Sequence, residues 1–323
     1  MQFQIESRDG VVTIPASGQL RLQSGRCGLF PFSLELGEAH LIYATVQPLS
    51  ILRDAAGREC FVFFAPEGIA PELCFDAHTI VSCSGAPRQR DGNRLIVRTA
   101  LGLEGVMLQT QSGEEVRVLV LSRSDAEGAL VRRDIQGDHL FLSEADCWFE
   151  EGNLEIRSTG HVANVRVFPA LAAGVSLPLE ATMSLDKDSS IVSFQTQPKL
   201  IEPHREDRSG WVVLRFAPDL FEGVDDVWLR VNYEGDTAGA YVNGTLVADN
   251  FCNGQTWEIA LRRLGPDVLE HELCLRFSPL QRGEARNTST AMAARLDFEG
   301  DELLRIHDIE CAARFRFHLP LSA

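Results

Sequence analysis

The residue types between positions 211 and 257 of this 323-residue chain are suited to binding a sugar. Trp211 and Trp257 offer flat aromatic rings that can stack on the C–H face of a pyranose, and the indole N–H can donate to a hydroxyl. Asp249, Asn250 and Asn253 carry short carboxylate and amide side chains that can pair with adjacent sugar hydroxyls. A structural interpretation competes with this one, and the local patterns favour it: strand tryptophans pack cores, and Asp and Asn form turns.

A group of acidic residues could bind a metal ion. Asp225, Asp226 and Asp236, with Glu234, flank one predicted strand. Calcium prefers several oxygen ligands, so these residues are candidates for a structural calcium site, although their spacing matches no known ligand loop. Calcium is the one cofactor that the sequence suggests.

The loop containing Glu67 and Glu72 could place two carboxylates side by side. Pro66 and Pro71 stiffen this loop, and a carboxylate pair at a suitable separation can hydrolyse glycosides. We favour the alternative of a Pro66-Glu67-Gly68 turn whose carboxylate caps backbone amides.

Other catalytic motifs are missing from the sequence. The eight histidines form no HxH or HExxH motif, and no GxSxG turn occurs. The eight cysteines contain no CxxC pair and mostly fall in apolar strand patterns, which favours buried, reduced thiols. The sequence therefore predicts neither metal catalysis nor a serine nucleophile.

The charge of the chain excludes some partners. A formal net charge of −16 and a pI near 4.9 disfavour nucleic acid and anionic membranes, because both carry dense negative charge. A neutral ligand such as a sugar is compatible with this negative charge. No apolar run is long enough to span a bilayer, and the sequence MQFQIESRDG does not look like a signal peptide, so we expect a cytoplasmic protein.

Periodicity predicts strands along most of the chain. Residues 227–233 alternate apolar and polar side chains, and Asn243-Gly244 predicts a type I′ hairpin turn between the strands 239–242 and 245–249. Val116 to Leu121 is an almost continuously apolar strand, which predicts a central position in a sheet. In the last strand, Ala313, Phe315, Phe317 and Leu319 alternate with Arg314, Arg316 and His318, which predicts one buried and one wet face.

We expect one short helix that begins at Ser124, where Ser124 and Glu127 fit a capping box, and ends before Asp134. The pattern predicts an all-β protein of two β-sandwich domains at residues 1–197 and 211–323. Residues 198–210 are charged and contain Pro198 and Pro203, which predicts an exposed linker.

The stretch LRVNYEGDTAGAYVNGTLVADNFCNGQTWEIAL at 229–261 resembles the C-terminal β-sandwich region of proteins related to glycoside hydrolase family 35, the β-galactosidases. The segments at 30–49, 61–76, 116–126 and 139–149 agree with that region in the same order. The resemblance implies that the second domain is a galactose-binding-like jelly roll. The family's chemistry resides in a (β/α)₈ barrel that precedes these sandwiches, and this sequence shows no βα alternation. The resemblance therefore implies a fold for this chain but assigns it no catalytic residue.

From this resemblance we expect a non-catalytic, carbohydrate-associated module or subunit, whose partners would be β-galactosides or a separate barrel-domain protein. The alternative is a glycoside hydrolase that acts with a separately supplied barrel or through its own loop carboxylates, such as Glu67 or Asp249. One sandwich architecture hosts many unrelated roles, so the fold alone does not choose between these.

Overall fold

A computed structural model describes residues 2–7, 10–22, 27–172, 175–208, 210–283, 298 and 300–321. Strands dominate these ranges, and the helices in them are short. They are α1 (Arg123–Glu127), α2 (Asp267–Glu270) and a 3₁₀ helix at Leu261–Leu264. The predicted all-β class is therefore confirmed. In the same ranges, none of the helices has the length and apolar character that crossing a bilayer requires.

Contacts within the chain divide it into two compact units. The second unit begins its main segment close to the predicted linker and also takes in a short earlier segment that no sequence pattern singles out. The first unit comprises Met1–Leu154, Ala163–Phe194 and Leu319–Ala323, and the second comprises Glu155–Val162 and Gln195–His318.

The first unit contains a hairpin and three five-stranded sheets in its described residues. The hairpin pairs β1 (Phe3–Ser7) with β2 (Gly10–Ile14). The first sheet has, in spatial order, β3 (Phe32–Leu36), β4 (Ala39–Ala44), β7 (Leu73–Asp76), β10 (Arg94–Val97) and β9 (Arg88–Asp91). The second sheet has β5 (Gln47–Arg53), β6 (Glu59–Phe64), β12 (Glu115–Leu121), β11 (Gly102–Thr110) and β8 (Ile80–Ser84). The third has β13 (Ala129–Arg132), β14 (His139–Leu142), β17 (Val162–Phe168), β19 (Ser189–Gln195) and β18 (Ala181–Asp186).

Strand β12 is the middle strand of the second sheet, as its apolar run predicts. Val118 and Val120 belong to a core shared with the first sheet. Leu119 and Leu121 belong to a core shared with Leu140 of the third sheet. From Val118 to Leu121 both faces of β12 are buried, which explains why this part of the strand is continuously apolar.

The short helix begins two residues earlier than predicted. Ser122 is the N-cap residue, and its hydroxyl accepts a hydrogen bond of 3.0 Å from the Asp125 N–H. Glu127, the expected partner in a capping box at Ser124, instead pairs with Arg123 at 2.7 Å. The helix ends at Glu127, earlier than predicted, and Ala129–Arg132 form a strand instead. A Cβ atom at the next residue, Gly128, would lie 2.6 Å from the carbonyl oxygen of Ser143.

The second unit is a sandwich of two antiparallel sheets. One sheet has the order β16 (Asn153–Ser158), β29 (Arg305–Pro320), β22 (Asp226–Glu234) and β25 (Trp257–Ala260). The other has β20 (His204–Arg208), β21 (Trp211–Arg215), β26 (Leu273–Phe277), β23 (Thr237–Val242) and β24 (Thr245–Phe251). The second unit also contains the pair β27 (Leu280–Gln281) and β28 (Glu302–Leu303), and β15 (Asp146–Glu150) belongs to a segment of the first unit.

Both sheets contribute apolar side chains to one core in the second unit, including Leu229 from β22 and Leu275 from β26. The predicted hairpin is confirmed, because Asn243 has φ +48° and Gly244 has φ +75°, the two positive values of a type I′ turn. In the final strand, the predicted apolar face is buried. Arg314 is an exception to the wet face: it is buried, with its guanidinium 4.5 Å from the ring centroid of Trp228.

The predicted linker at 198–210 is not wholly irregular. Its residues 204–208 form the edge strand β20, which pairs with β21. Charged side chains are common on edge strands because they discourage pairing with other chains. On β20, Arg205 pairs with Asp207 at 2.9 Å and Arg208 pairs with Glu206 at 3.0 Å. The absence of apolar periodicity there reflects an exposed edge strand rather than a lack of structure.

Candidate functional site

A row of residues crosses four strands of the five-stranded sheet in the second unit. Trp211 on β21 lies opposite Arg276 on β26. Gly239 on β23 lies opposite Arg276 on one side and Asp249 of β24 on the other. Residues directly opposite one another in an antiparallel pair project from the same face of a sheet. We call this surface, with the adjacent Tyr241, the Trp211 face.

The Trp211 face points away from the core of the second unit. Val212, the neighbour of Trp211 along the strand, is buried in that core, as is Leu275, the neighbour of Arg276. Because successive side chains of a strand alternate between faces, Trp211 and Arg276 project outward. Trp211 is half-buried, and Arg276 and Asp249 are exposed.

Two aromatic rings form the centre of this face. The ring centroids of Trp211 and Tyr241 are 5.6 Å apart, and the ring planes are tilted by 58°. The guanidinium of Arg276 lies 5.5 Å from the Trp211 ring centroid, which is within the range of a cation–π contact. The rings and the guanidinium thus hold one another in place on an exposed sheet surface.

Gly239 makes room for the ring of Tyr241. A Cβ atom at this position would lie 2.9 Å from a ring carbon of Tyr241 and 3.1 Å from its hydroxyl oxygen. The same atom would lie 3.2 Å from the side chain of Leu246, which is 52% exposed. The missing side chain therefore lets Tyr241 and Leu246 lie flat over β23.

The charged groups beside Gly239 are available to a ligand. Among the residues that the structure describes, the side chains of Arg276 and Asp249 have no hydrogen-bond or ion-pair partner, and the Arg276 guanidinium lies over the Trp211 ring. Nearby arginines differ: Arg208 pairs with Glu206 at 3.0 Å, and Arg215 pairs with Glu272. Asp249 and Arg276 are two strands apart, so their backbones are about 10 Å apart. A free donor and a free acceptor therefore lie on either side of Gly239, next to the aromatic rings.

The other predicted sugar-binding residues lie elsewhere. Trp257 is on β25 of the opposite sheet and is 6% exposed, within the core. Asn250 follows Asp249 on β24 and therefore faces the other side of the sheet, where its amide donates to the Tyr233 hydroxyl at 3.0 Å. The side chain of Asn253 accepts the Gln255 N–H at 3.0 Å, as in an Asx turn. Of the five predicted residues, the structure brings Trp211 and Asp249 onto one surface.

The predicted calcium ligands do not come together. Asp225 and Asp226 lie at one end of β22, and Asp236 follows its other end. The strand has nine residues, so its two ends are about 30 Å apart. Asp225 pairs with Arg157 at 2.8 Å. Asp226 accepts the N–H groups of Val227 at 2.7 Å and Arg262 at 3.0 Å. In the described part of the chain, no three His, Cys, Asp or Glu side chains are grouped as metal ligands.

Glu67 and Glu72 have different environments. Glu72 is 3% exposed, and its carboxylate accepts the Ala16 N–H at 2.7 Å and pairs with Arg98 at 3.0 Å. The carboxylate that accepts a backbone amide is thus Glu72, and not Glu67 of the predicted Pro-Glu-Gly turn. Glu67 is exposed and lines an open cavity with Arg123. Glu72 therefore makes structural contacts, whereas Glu67 is open to solvent.

The cysteines are free thiols. Burial raises the pKa of Cys60, Cys74 and Cys311 to about 12, so these thiols stay protonated and unreactive at neutral pH. Cys27 is exposed. This agrees with the interpretation of most cysteines as small apolar core residues.

Sequence reasoning missed Tyr241 and Arg276. Tyr241 alternates with core residues along β23, and Arg276 sits between the buried Leu275 and Phe277. Alternation would have placed each residue on an outward face, but it does not indicate which outward residues of different strands are neighbours. That information comes from strand register.

Comparison with known proteins adds no assignment. No protein-family model matches the chain, and no curated protein is significantly similar to it.

Proposed function

We propose that this chain is a non-catalytic, carbohydrate-associated β-sandwich protein that binds a sugar on the Trp211 face. The observation that carries the proposal is the row formed by Trp211, Arg276, Gly239 and Asp249, with Tyr241 beside it. The similarity to the accessory region of β-galactosidases suggests β-galactosides as the first ligands to test. The proposal includes the assignment of the second unit as a galactose-binding-like jelly roll.

The chemistry of the face suits a neutral sugar. The rings of Trp211 and Tyr241 can pack against sugar C–H groups. The carboxylate of Asp249 can accept hydrogen bonds from hydroxyls, and the guanidinium of Arg276 can donate to hydroxyl or ring oxygens. Both charged groups are exposed and lack other partners, so a ligand need not break an existing hydrogen bond to reach them.

The same geometry favours binding over hydrolysis. Glycoside hydrolysis uses two carboxylates about 5 to 10 Å apart. On the described part of this face, Asp249 is the free carboxylate, whereas Glu206 and Glu272 are paired with arginines. The enzymatic alternative predicts turnover of β-galactosides by the isolated chain or by its mixture with a barrel-domain protein.

The test is a titration monitored by tryptophan fluorescence, with galactose and β-galactosyl oligosaccharides as ligands and mannose as the comparison. We expect a saturable signal with galactosides. Replacing Asp249→Asn or Arg276→Gln should weaken binding about tenfold, since each loses charge-assisted hydrogen bonds worth about 1.5 kcal/mol.

Asp207→Asn and Arg205→Gln are matched controls. Both residues are exposed on β20, and their register partners Val212 and Leu214 place them on the opposite side of the sheet from Asp249. These variants should bind like the wild type. If the control and test variants bind alike, or if the folded chain shows no saturable signal with any sugar, the proposal is wrong.

A further inference from the structure

A second candidate site lies in the first unit. A cavity of about 470 Å³ opens at one end of the core between the second and third sheets. This volume is in the range of small-molecule sites, about 300 to 1,000 Å³. The cavity does not include any residue of the Trp211 face, so it is independent of the proposed sugar site.

The floor of the cavity is one row of the second sheet. Leu52 lies opposite Cys60, Cys60 lies beside Arg117 in the parallel pair, and Arg117 lies opposite Met107. Phe168, the last residue of β17 in the third sheet, completes the floor. Apart from Arg117, these side chains are apolar, and they suit an apolar ligand body.

Arg117 explains why the cavity exists. Along β12, Leu119 and Leu121 project from the same face and fill the core between the sheets. Arg117 is the next residue on that face. Its side chain lies against Phe168 and leaves the end of the core unfilled. Its guanidinium lies 4.6 Å from the Phe168 ring centroid and pairs with Asp188 at 2.9 Å.

Most charges at the mouth neutralise one another. Arg53 pairs with Glu59 at 2.8 Å, and Arg58 pairs with Asp54 at 2.7 Å. The other charged lining residues also have partners: Asp138 pairs with Arg133 at 2.8 Å, and Lys187 pairs with Glu104 at 2.7 Å.

Glu115 is the exception. It lines the cavity and is exposed, and within the described ranges its carboxylate has no hydrogen-bond or ion-pair partner. It precedes Arg117 by two residues on β12, so its side chain projects from the same face as the floor. The cavity therefore combines an apolar floor with one unpaired negative group at its mouth.

We propose that this cavity binds a small organic cation, an amine carried on an apolar or aromatic body. The body packs on Leu52, Met107 and Phe168, and the ammonium group donates to the carboxylate of Glu115. The net charge of −16 favours the approach of a cation over that of an anion.

Isothermal titration calorimetry with three probes of the same shape tests this proposal. The probes are phenethylamine, phenethyl alcohol and hydrocinnamate, which present a positive, a neutral and a negative group on one aromatic body. We expect the amine to bind most tightly and hydrocinnamate most weakly. Raising the salt concentration should weaken the amine alone, since an exposed ion pair is screened by salt.

Variants then locate the site. Glu115→Gln should weaken the amine about fivefold and leave the alcohol unchanged. Glu202→Gln, at an exposed carboxylate of the second unit, is the matched control and should change neither. Met107→Trp should fill the cavity and abolish binding of both amine and alcohol, with a cooperative melt to confirm folding. If the amine binds no better than the alcohol, or if Glu115→Gln and Glu202→Gln behave alike, the proposal is overturned.

Discussion

The hydroxyl of Tyr43 donates a hydrogen bond of 2.8 Å to the carboxylate of Glu72, and both side chains are buried. The same carboxylate oxygen accepts the Ala16 N–H at 2.7 Å, and the other oxygen pairs with Arg98 at 3.0 Å. Tyr43 also packs in a core with Val12 and Ile14 of the N-terminal hairpin. Glu72 therefore links the segment after that hairpin to the first sheet by hydrogen bonds, next to the apolar core that contains Tyr43.

Replacing Glu72→Ala should lower the free energy of unfolding by about 2 to 3 kcal/mol, because it leaves the buried Tyr43 hydroxyl and the Ala16 N–H without their acceptor. Tyr43→Phe removes one hydrogen bond and should cost about 1 kcal/mol. Urea denaturation measures both values. Glu67→Ala, at the exposed carboxylate of the same loop, is the control and should change stability by less than about 0.5 kcal/mol. Equal effects of Glu72→Ala and Glu67→Ala would contradict this account of Glu72.

Alkaline pH should destabilise the protein through buried tyrosine. Burial raises the pKa of Tyr233 to about 12 from the ordinary 10.0, and burial together with the Glu72 carboxylate also raises the pKa of Tyr43. Above pH 10 the unfolded chain loses these protons while the folded chain keeps them. Deprotonation therefore favours the unfolded state, and the free energy of unfolding should fall as pH rises from 10 to 12.

Chemical denaturation at a series of pH values measures this slope. Tyr233→Phe should make the decline between pH 10 and 12 shallower, because Phe has no proton to lose. The buried thiols with raised pKa contribute a decline of the same sign from pH 9 upward, so the comparison must be made between wild type and variant at each pH. An unchanged slope in Tyr233→Phe would show that this tyrosine does not contribute.

Gly239→Ala should disturb the Trp211 face. The new methyl group would lie 2.9 Å from the Tyr241 ring, so the ring must move away from β23. We expect a stability cost of about 1 to 3 kcal/mol from this overpacking and a changed near-ultraviolet circular dichroism signal from the tryptophans. If the face binds sugar as proposed, affinity should fall as well. Gly300→Ala is the control, because no atom of the described residues lies within 4 Å of a Cβ at that glycine.

The type of each element in the second unit could be predicted from local pattern. Alternation along β22 predicts its buried face, and Asn243-Gly244 predicts a turn whose two positive φ values the structure contains. The helix boundary was less predictable, because Ser122 and Ser124 are both acceptable caps. The choice of Ser122 is accompanied by the close approach of Gly128 to the Ser143 carbonyl, a contact that local sequence does not reveal.

The sequence by itself determined that this protein is built from strands and which side chains on each strand face a core. That information is local, because side chains of a strand alternate with a period of two residues. The tertiary structure alone decided which strands are neighbours and in what register. Register placed Trp211, Arg276 and Asp249 on one surface although they are far apart in the chain, and it put the adjacent Asn250 on the other face. Pairing between distant strands depends on how whole sheets bury their apolar faces, so the candidate site emerged only when the sheet was assembled.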